Sequence, residues 1–177
     1  MPIHNYLDHK PSISETTFIA ENATVVGNVT LEENTSVWFG AILRAELDSI
    51  RVGRNSNIQD NCVLHTDAGF PVAIDQGVTV GHAAVIHGAR ISSNCLIGMR
   101  STILNGSKIG ENCIVAAGSL ITQGFEAPSN SLIMGSPAAV KRKITDNEVQ
   151  FIQLNAEHYN LFRKAYLDGA IGRKIST

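Results

Sequence analysis

An aliphatic residue recurs at every sixth position along most of this chain, and that period constrains the fold more than any other feature. The series reads Ile13, Ile19, Val25, Leu31, Val37 and Leu43, continues after an insertion as Val52, Ile58 and Leu64, and after another as Ile74, Val80 and Ile86. One deletion later it resumes as Ile91, Ile97, Ile103, Ile109, Val115 and Ile121. A six-residue period is neither helical nor a simple strand alternation; it is the hexapeptide signature of a parallel β-helix. Three residues after the anchors stand asparagines (Asn22, Asn28, Asn34, Asn55, Asn61, Asn94, Asn112) and glycines (Gly40, Gly77, Gly106, Gly118, Gly124). These residues tolerate positive φ at least cost. A left-handed residue there would turn the chain once per hexapeptide, and three such turns would close a triangular coil. The eighteen anchors divide into six coils, spaced about 4.8 Å apart.

Two insertions interrupt the period. Asp48-Ser49-Ile50-Arg51 carries a three-residue excess, and Thr66-Asp67-Ala68-Gly69-Phe70-Pro71 a four-residue excess directly after His65. Insertions in a solenoid form loops on its faces and often carry function. The repeat occupies residues 11–124, followed by a connector over 125–144 containing Pro128 and Gly135-Ser136-Pro137-Ala138. A helix is expected over 145–169, opened by the capping-box pair Thr145 and Glu148. Its apolar stripe, Val149, Ile152, Ala156, Tyr159, Phe162 and Tyr166, is expected to pack along the solenoid.

A chain of 177 residues can bury a full core as one main domain with an appendage. The net charge of −2 gives no reason to expect nucleic acid or an acidic membrane surface as partner. No apolar run is long enough to span a bilayer and the N-terminal residues lack signal-peptide order, so a cytoplasmic protein is the expectation. Cys62, Cys95 and Cys113 all fall four residues after an anchor, where small residues otherwise stand, and read as packing residues.

Placing the anchors in rotation on three faces gives the histidines a geometry. Leu43, Leu64 and Ile86 share one face in successive coils, so Arg44, His65 and His87, each one residue later, should stack along one edge. One strand spacing lets two imidazoles reach a single metal. His82 lies two residues after Val80 on the preceding face, above Gln59 and Asp60. The chain thus offers two half-sites on unlike faces. A heterologous interface around a threefold axis would join them and complete a three-histidine site at each junction, bringing Arg44 against Asp60. Outward Trp38, one coil below Gln59, is expected to pack in that interface. His4, His9 and His158 have no comparable partners.

Ser36-Val37-Trp38-Phe39-Gly40, Asn57-Ile58-Gln59-Asp60-Asn61, Val63-Leu64-His65, Cys95-Leu96-Ile97-Gly98-Met99, Gly135-Ser136-Pro137-Ala138 and the run from Thr79 through His82 and His87 to Gly88 strongly resemble the γ-class carbonic anhydrase-like family. The resemblance implies an all-β solenoid, a left-handed parallel β-helix of hexapeptide repeats with a C-terminal α-helix, assembled as a homotrimer. It implies zinc, with iron or cobalt in some members, held by His65, His87 and a neighbour's His82. It further implies reversible hydration of carbon dioxide to bicarbonate by metal-bound hydroxide. Gln59 would orient the metal-bound water with Asn57 nearby, Arg44 and Asp60 would form a charged interface pair, and Tyr159 would approach the metal from the helix. Two departures stand out. The familiar Arg-Gly-Asp is here Arg44-Ala45-Glu46, and the acidic loop with a glutamate proton shuttle is replaced by the short Thr66-to-Pro71 loop, whose only carboxylate is Asp67. Proton export would fall to Glu46, Asp67 or a water chain. The competing readings are a hexapeptide acyltransferase using one histidine as base, a thioester hydrolase, and a non-catalytic metal-containing trimeric scaffold.

Overall fold

The computed structural model describes residues 2–169. The chain winds into a left-handed parallel β-solenoid of about seven turns with one C-terminal helix. One face stacks Phe18–Ile19, Ser36–Val37, Asn57–Ile58, Thr79–Val80, Leu96–Ile97, Ile114–Val115 and Ser131–Gly135 in parallel register. The second runs through Ile42–Val52, Val63–His65, Val85–His87, Thr102–Ile103 and Leu120–Ile121. The third includes Val72–Ile74, Arg90–Ile91, Lys108–Ile109 and Glu126–Ala127.

The hexapeptide anchors fill the interior. Leu31, Leu43, Ile58, Leu64, Ile74, Ile86, Ile91, Ile97, Ile103, Ile109 and Ile121 are all fully buried, each worth about 1.5–3 kcal/mol of apolar burial. The three cysteines lie among them, free and buried, and burial pushes the Cys62 thiol up to about 12. Most corners adopt the left-handed conformation, as at Asn34, Asn55, Asn61, Asn94 and Asn112. Ala83 (φ 58°) and Arg100 (φ 57°) hold it without a glycine or asparagine, because in-register coils above and below over-determine the corner. Asn22 and Asn28 are absent from the positive-φ corners, and Gly27 (φ 82°) turns the chain beside the latter.

The repeat extends past Gly124 into the stretch read as a connector. Glu126–Ala127 and Ser131–Gly135 continue two faces, and Ala138–Lys143 folds back antiparallel on the latter. The helix Asp146–Leu167 then begins at the Thr145 cap, with both reciprocal bonds of the capping box to Glu148 formed.

The helix lies on the lower coils of the first face, from Phe18–Ile19 to Thr79–Val80, and overturns two expectations. Trp38 is not interface packing: it is 5% exposed, with Tyr159 and Tyr166 edge-on at 5.5 and 5.0 Å and Phe18 at 5.1 Å. The solenoid face alone would leave that indole in water, and the helix lies exactly where a partner was expected to. Phe162 belongs to no buried stripe and is 53% exposed. The inward line is Ile152, Ala156, Tyr159, Arg163 and Tyr166, with a buried arginine in the place sequence patterning assigned to an apolar side chain.

Candidate metal centre

The strand register brings Arg44, His65 and His87 into one ladder, because their anchors Leu43, Leu64 and Ile86 pair directly. His65 Nδ1 and His87 Nε2 face each other at 2.9 Å. The other nitrogen of each ring is tied to oxygen. His65 Nε2 donates to Glu46 Oε2 at 3.2 Å, and His87 Nδ1 donates to Asn105 Oδ1 at 2.6 Å. The Asn105 amide has a defined orientation, since its Nδ2 donates to the Asp67 carboxylate at 3.3 Å.

These bonds determine what lies between the rings. A neutral imidazole carries one N–H and one lone pair. With the N–H of each spent on Glu46 and Asn105, two lone pairs point at one another across 2.9 Å. Such an arrangement calls for a cation between them, either a proton or a metal ion. Two ligands of a tetrahedral zinc with 2.0–2.1 Å bonds sit about 3.3 Å apart, a few tenths of an ångström wider. Histidine ligands whose second nitrogen is held by a carboxylate or amide oxygen are the usual arrangement in metal sites. The residues fit a divalent ion.

His82 is prepared in the same way on the adjoining face. Its Nδ1 bonds Asp60 Oδ2 at 2.8 Å, which leaves Nε2 as the lone-pair atom. Its backbone N–H donates to Gln59 Oε1 at 3.1 Å. Gly81 lets this corner lie flat, since a Cβ there would stand 2.8 Å from Ile97 O and Met99 N of the next coil. Gln59 Nε2 in turn donates to Asn57 Oδ1 at 3.2 Å, and Asn57 Nδ2 to Thr79 Oγ1 at 2.9 Å. Both amides are buried and held in one orientation. Among the described residues of a single chain, no three histidine, cysteine or carboxylate side chains converge on one point.

Two further groups complete the surroundings. Tyr159 brings its hydroxyl to 3.5 Å from His82 Nε2; burial, with help from the Asp60 charge, keeps its pKa above the ordinary value. Glu46 links its two neighbours, accepting from Arg44 as well as from His65. Partial burial pulls its carboxyl upward, but the Arg44 guanidinium and His65 outweigh this and hold it below the usual range. Arg44 and Asp60 are therefore engaged within one chain, with Glu46 and His82 respectively. Asn105 was not singled out from sequence. It lies one coil above and one residue beyond the position level with His87, because the pairs Val85–Thr102 and Ile86–Ile103 set a register of 17 residues here, so stacking by the repeat alone pointed to Leu104.

Comparison with known proteins decides the family. A curated relative from Methanocaldococcus jannaschii, named "Probable carbonic anhydrase", is 54% identical over 83% of this chain and 92% of its own length. The chain belongs to the γ-class carbonic anhydrase-like family. A Geobacillus kaustophilus carbonic anhydrase is 41% identical over 89% of this chain and 86% of its own. Gamma carbonic anhydrase 2 of Arabidopsis thaliana mitochondria is 37% identical over 88% of this chain, which spans only 58% of that longer protein. The family model for the bacterial transferase hexapeptide (six repeats) matches residues 88–123. Among solved structures, a hexapeptide transferase family protein from Anaplasma phagocytophilum superposes with a TM-score of 0.90 at 36% identity, covering 93% of this chain and 98% of that one. No helix among the described residues is long and apolar enough to cross a membrane.

Proposed function

We propose that this protein is a metal-dependent γ-carbonic anhydrase that interconverts carbon dioxide and bicarbonate as a homotrimer. Each site would combine His65 and His87 of one subunit with His82 of the next. The observation that carries this reading is the pair of facing imidazole nitrogens, 2.9 Å apart, each ring held through its other nitrogen by an oxygen, beside a third histidine presented separately.

The outward residues of the three faces support the assembly. The face bearing His65 and His87 presents Ile42, Val63, Val85, Thr102 and Leu120 in register, apolar at every position but one. The face bearing His82 presents Leu96, Ile114 and Leu132. The third carries Arg51, Arg90, Lys108 and Glu126. Two unlike apolar faces and one charged face suit a closed threefold ring in which the charged face meets solvent.

A divalent ion such as zinc, iron or cobalt, when bound, supplies positive charge that lowers the pKa of a water ligand to about 7. The remaining chemistry falls to the chain. Gln59, locked by His82 and Asn57, can orient an attacking oxygen without titrating. Tyr159 closes the His82 side with a neutral hydroxyl. Glu46 contacts His65 directly and Asp67 reaches His87 through Asn105, which makes these two carboxylates the candidates for carrying protons outward.

The transferase family match lends support to a second reading, acyl transfer from a thioester. That chemistry needs one base, so it leaves the anchoring of three separate imidazoles without a purpose. Metal analysis and stopped-flow carbon dioxide hydration test the proposal. The expected result is one ion per chain and a rate well above buffer with zinc, cobalt or anaerobically loaded iron. Bound metal with no rate above buffer for any of them overturns the anhydrase assignment and leaves the scaffold. A metal-free protein that transfers acetyl groups from acetyl-coenzyme A establishes the acyltransferase.

A further inference from the structure

Arg163 is 3% exposed, a buried cation on a helix whose other fully buried residues, Ile152 and Ala156, are apolar. Its Nη1 donates to the Thr16 backbone carbonyl at 2.5 Å, and its Nε to Asn160 Oδ1 at 2.8 Å. Burial lowers its pKa from the ordinary arginine value, with Asp168 opposing, yet a guanidinium keeps its proton throughout the working range. Such a group is costly to bury, and an apolar side chain of similar volume commonly serves stability as well or better. The retained arginine therefore asks for another explanation.

Apolar packing is non-directional, so by itself it fixes the register of a helix on a solenoid less sharply than directional hydrogen bonds do. The two bonds of Arg163 are directional. One fixes the helix to the first coil through Thr16, and the other fixes the guanidinium to its own helix. Tyr159 stands four residues earlier on the same side of the helix and Tyr166 three residues later. Both rings meet Trp38 edge-on, and the Tyr159 hydroxyl meets His82.

We infer that Arg163 is a positioning residue, setting the axial and rotational register of the helix so that the Tyr159 hydroxyl stands at His82. It touches neither substrate nor any histidine and acts through Tyr159. Its link to catalysis rests on the anhydrase reading above, whereas its control of helix register does not.

Trp38 is the single tryptophan of the chain, so its emission and near-ultraviolet ellipticity report helix register without metal or substrate. Arg163→Met keeps the volume and removes both directional bonds, and Arg163→Lys restores a cation with weaker geometry. In Arg163→Met, unchanged far-ultraviolet ellipticity with altered Trp38 emission and ellipticity is expected, and Arg163→Lys should fall between it and the wild type. Unchanged Trp38 signals in a folded Arg163→Met overturn the inference whatever the enzyme does. If Arg163→Met does not fold, the same comparison is made with Asn160→Ala, which loosens the guanidinium alone, and the same outcomes decide. In the hydration assay, Arg163→Met and Tyr159→Phe should each lower kcat/KM by about tenfold, with the double variant no worse than either. Multiplied losses in the double variant would show that Arg163 does not act through Tyr159. A wild type inactive in hydration would remove the anhydrase reading while the Trp38 test stands.

Discussion

At the scale of single residues, hydrogen bonds to the far nitrogen of each histidine decide what the near nitrogen can do. Glu46, Asn105 and Asp60 each take one N–H, so His65, His87 and His82 offer lone pairs in defined directions. Removing such an outer partner typically costs 10–100-fold in metal affinity or activity. Asn105→Leu, which removes the acceptor for His87 and the link to Asp67, is expected to weaken metal retention by that order in a competition with a chelator. Unaltered affinity would mean that His87 needs no anchor. Glu46→Gln keeps the contact to His65 but removes the proton-accepting charge. Its hydration rate should fall at low buffer and recover with added imidazole; a loss that imidazole does not relieve would assign Glu46 to structure.

At the scale of elements, corners and caps determine where strands and the helix begin. Arg100 turns a corner at φ 57°, a conformation costing an L-residue roughly 1–2 kcal/mol. Arg100→Gly is expected to stabilise the fold by about 0.5–1 kcal/mol after the added entropy of the unfolded chain, measured by urea denaturation. The helix cap predicts a pH dependence. The Arg142 guanidinium, then the Thr145 backbone N–H, hold the Glu148 carboxyl at about 2, against an ordinary 4.5. A depressed carboxyl stabilises the folded state above its unfolded pKa, and that contribution is lost as pH falls through the folded one. The stability difference between the wild type and Glu148→Gln should thus be constant above pH about 5, shrink as the pH falls through about 2 and vanish near pH 1. A difference undiminished at about pH 1 would assign the effect to something other than ionisation.

At the scale of the whole molecule, the proposed sharing of the histidines two to one between subunits would make assembly and metal binding a single event. His65→Ala and His82→Ala should each lack metal when purified alone. Mixed and reassembled, they should recover about a quarter of the wild-type metal, since one junction in four then joins an intact His65/His87 edge to an intact His82. No recovery from mixed trimers would refute the shared site.

The hexapeptide period, the corner asparagines and glycines, and the stacking of Arg44, His65 and His87 were legible in the sequence. Each follows from a local rule repeated along the chain: an aliphatic residue inward, a left-handed corner, one coil per three hexapeptides. The capping box of the helix was legible for the same reason, since Thr145 and Glu148 satisfy each other within one turn. The burial of Trp38, the exposure of Phe162, the turn of Arg163 toward Thr16 and the placing of Asn105 on His87 were decided by tertiary structure. They depend on how a helix lies across coils far from it in sequence, or on which of two amide ends faces a ring. Apolar periodicity marks a face without saying what will cover it, and only the packed chain determines that.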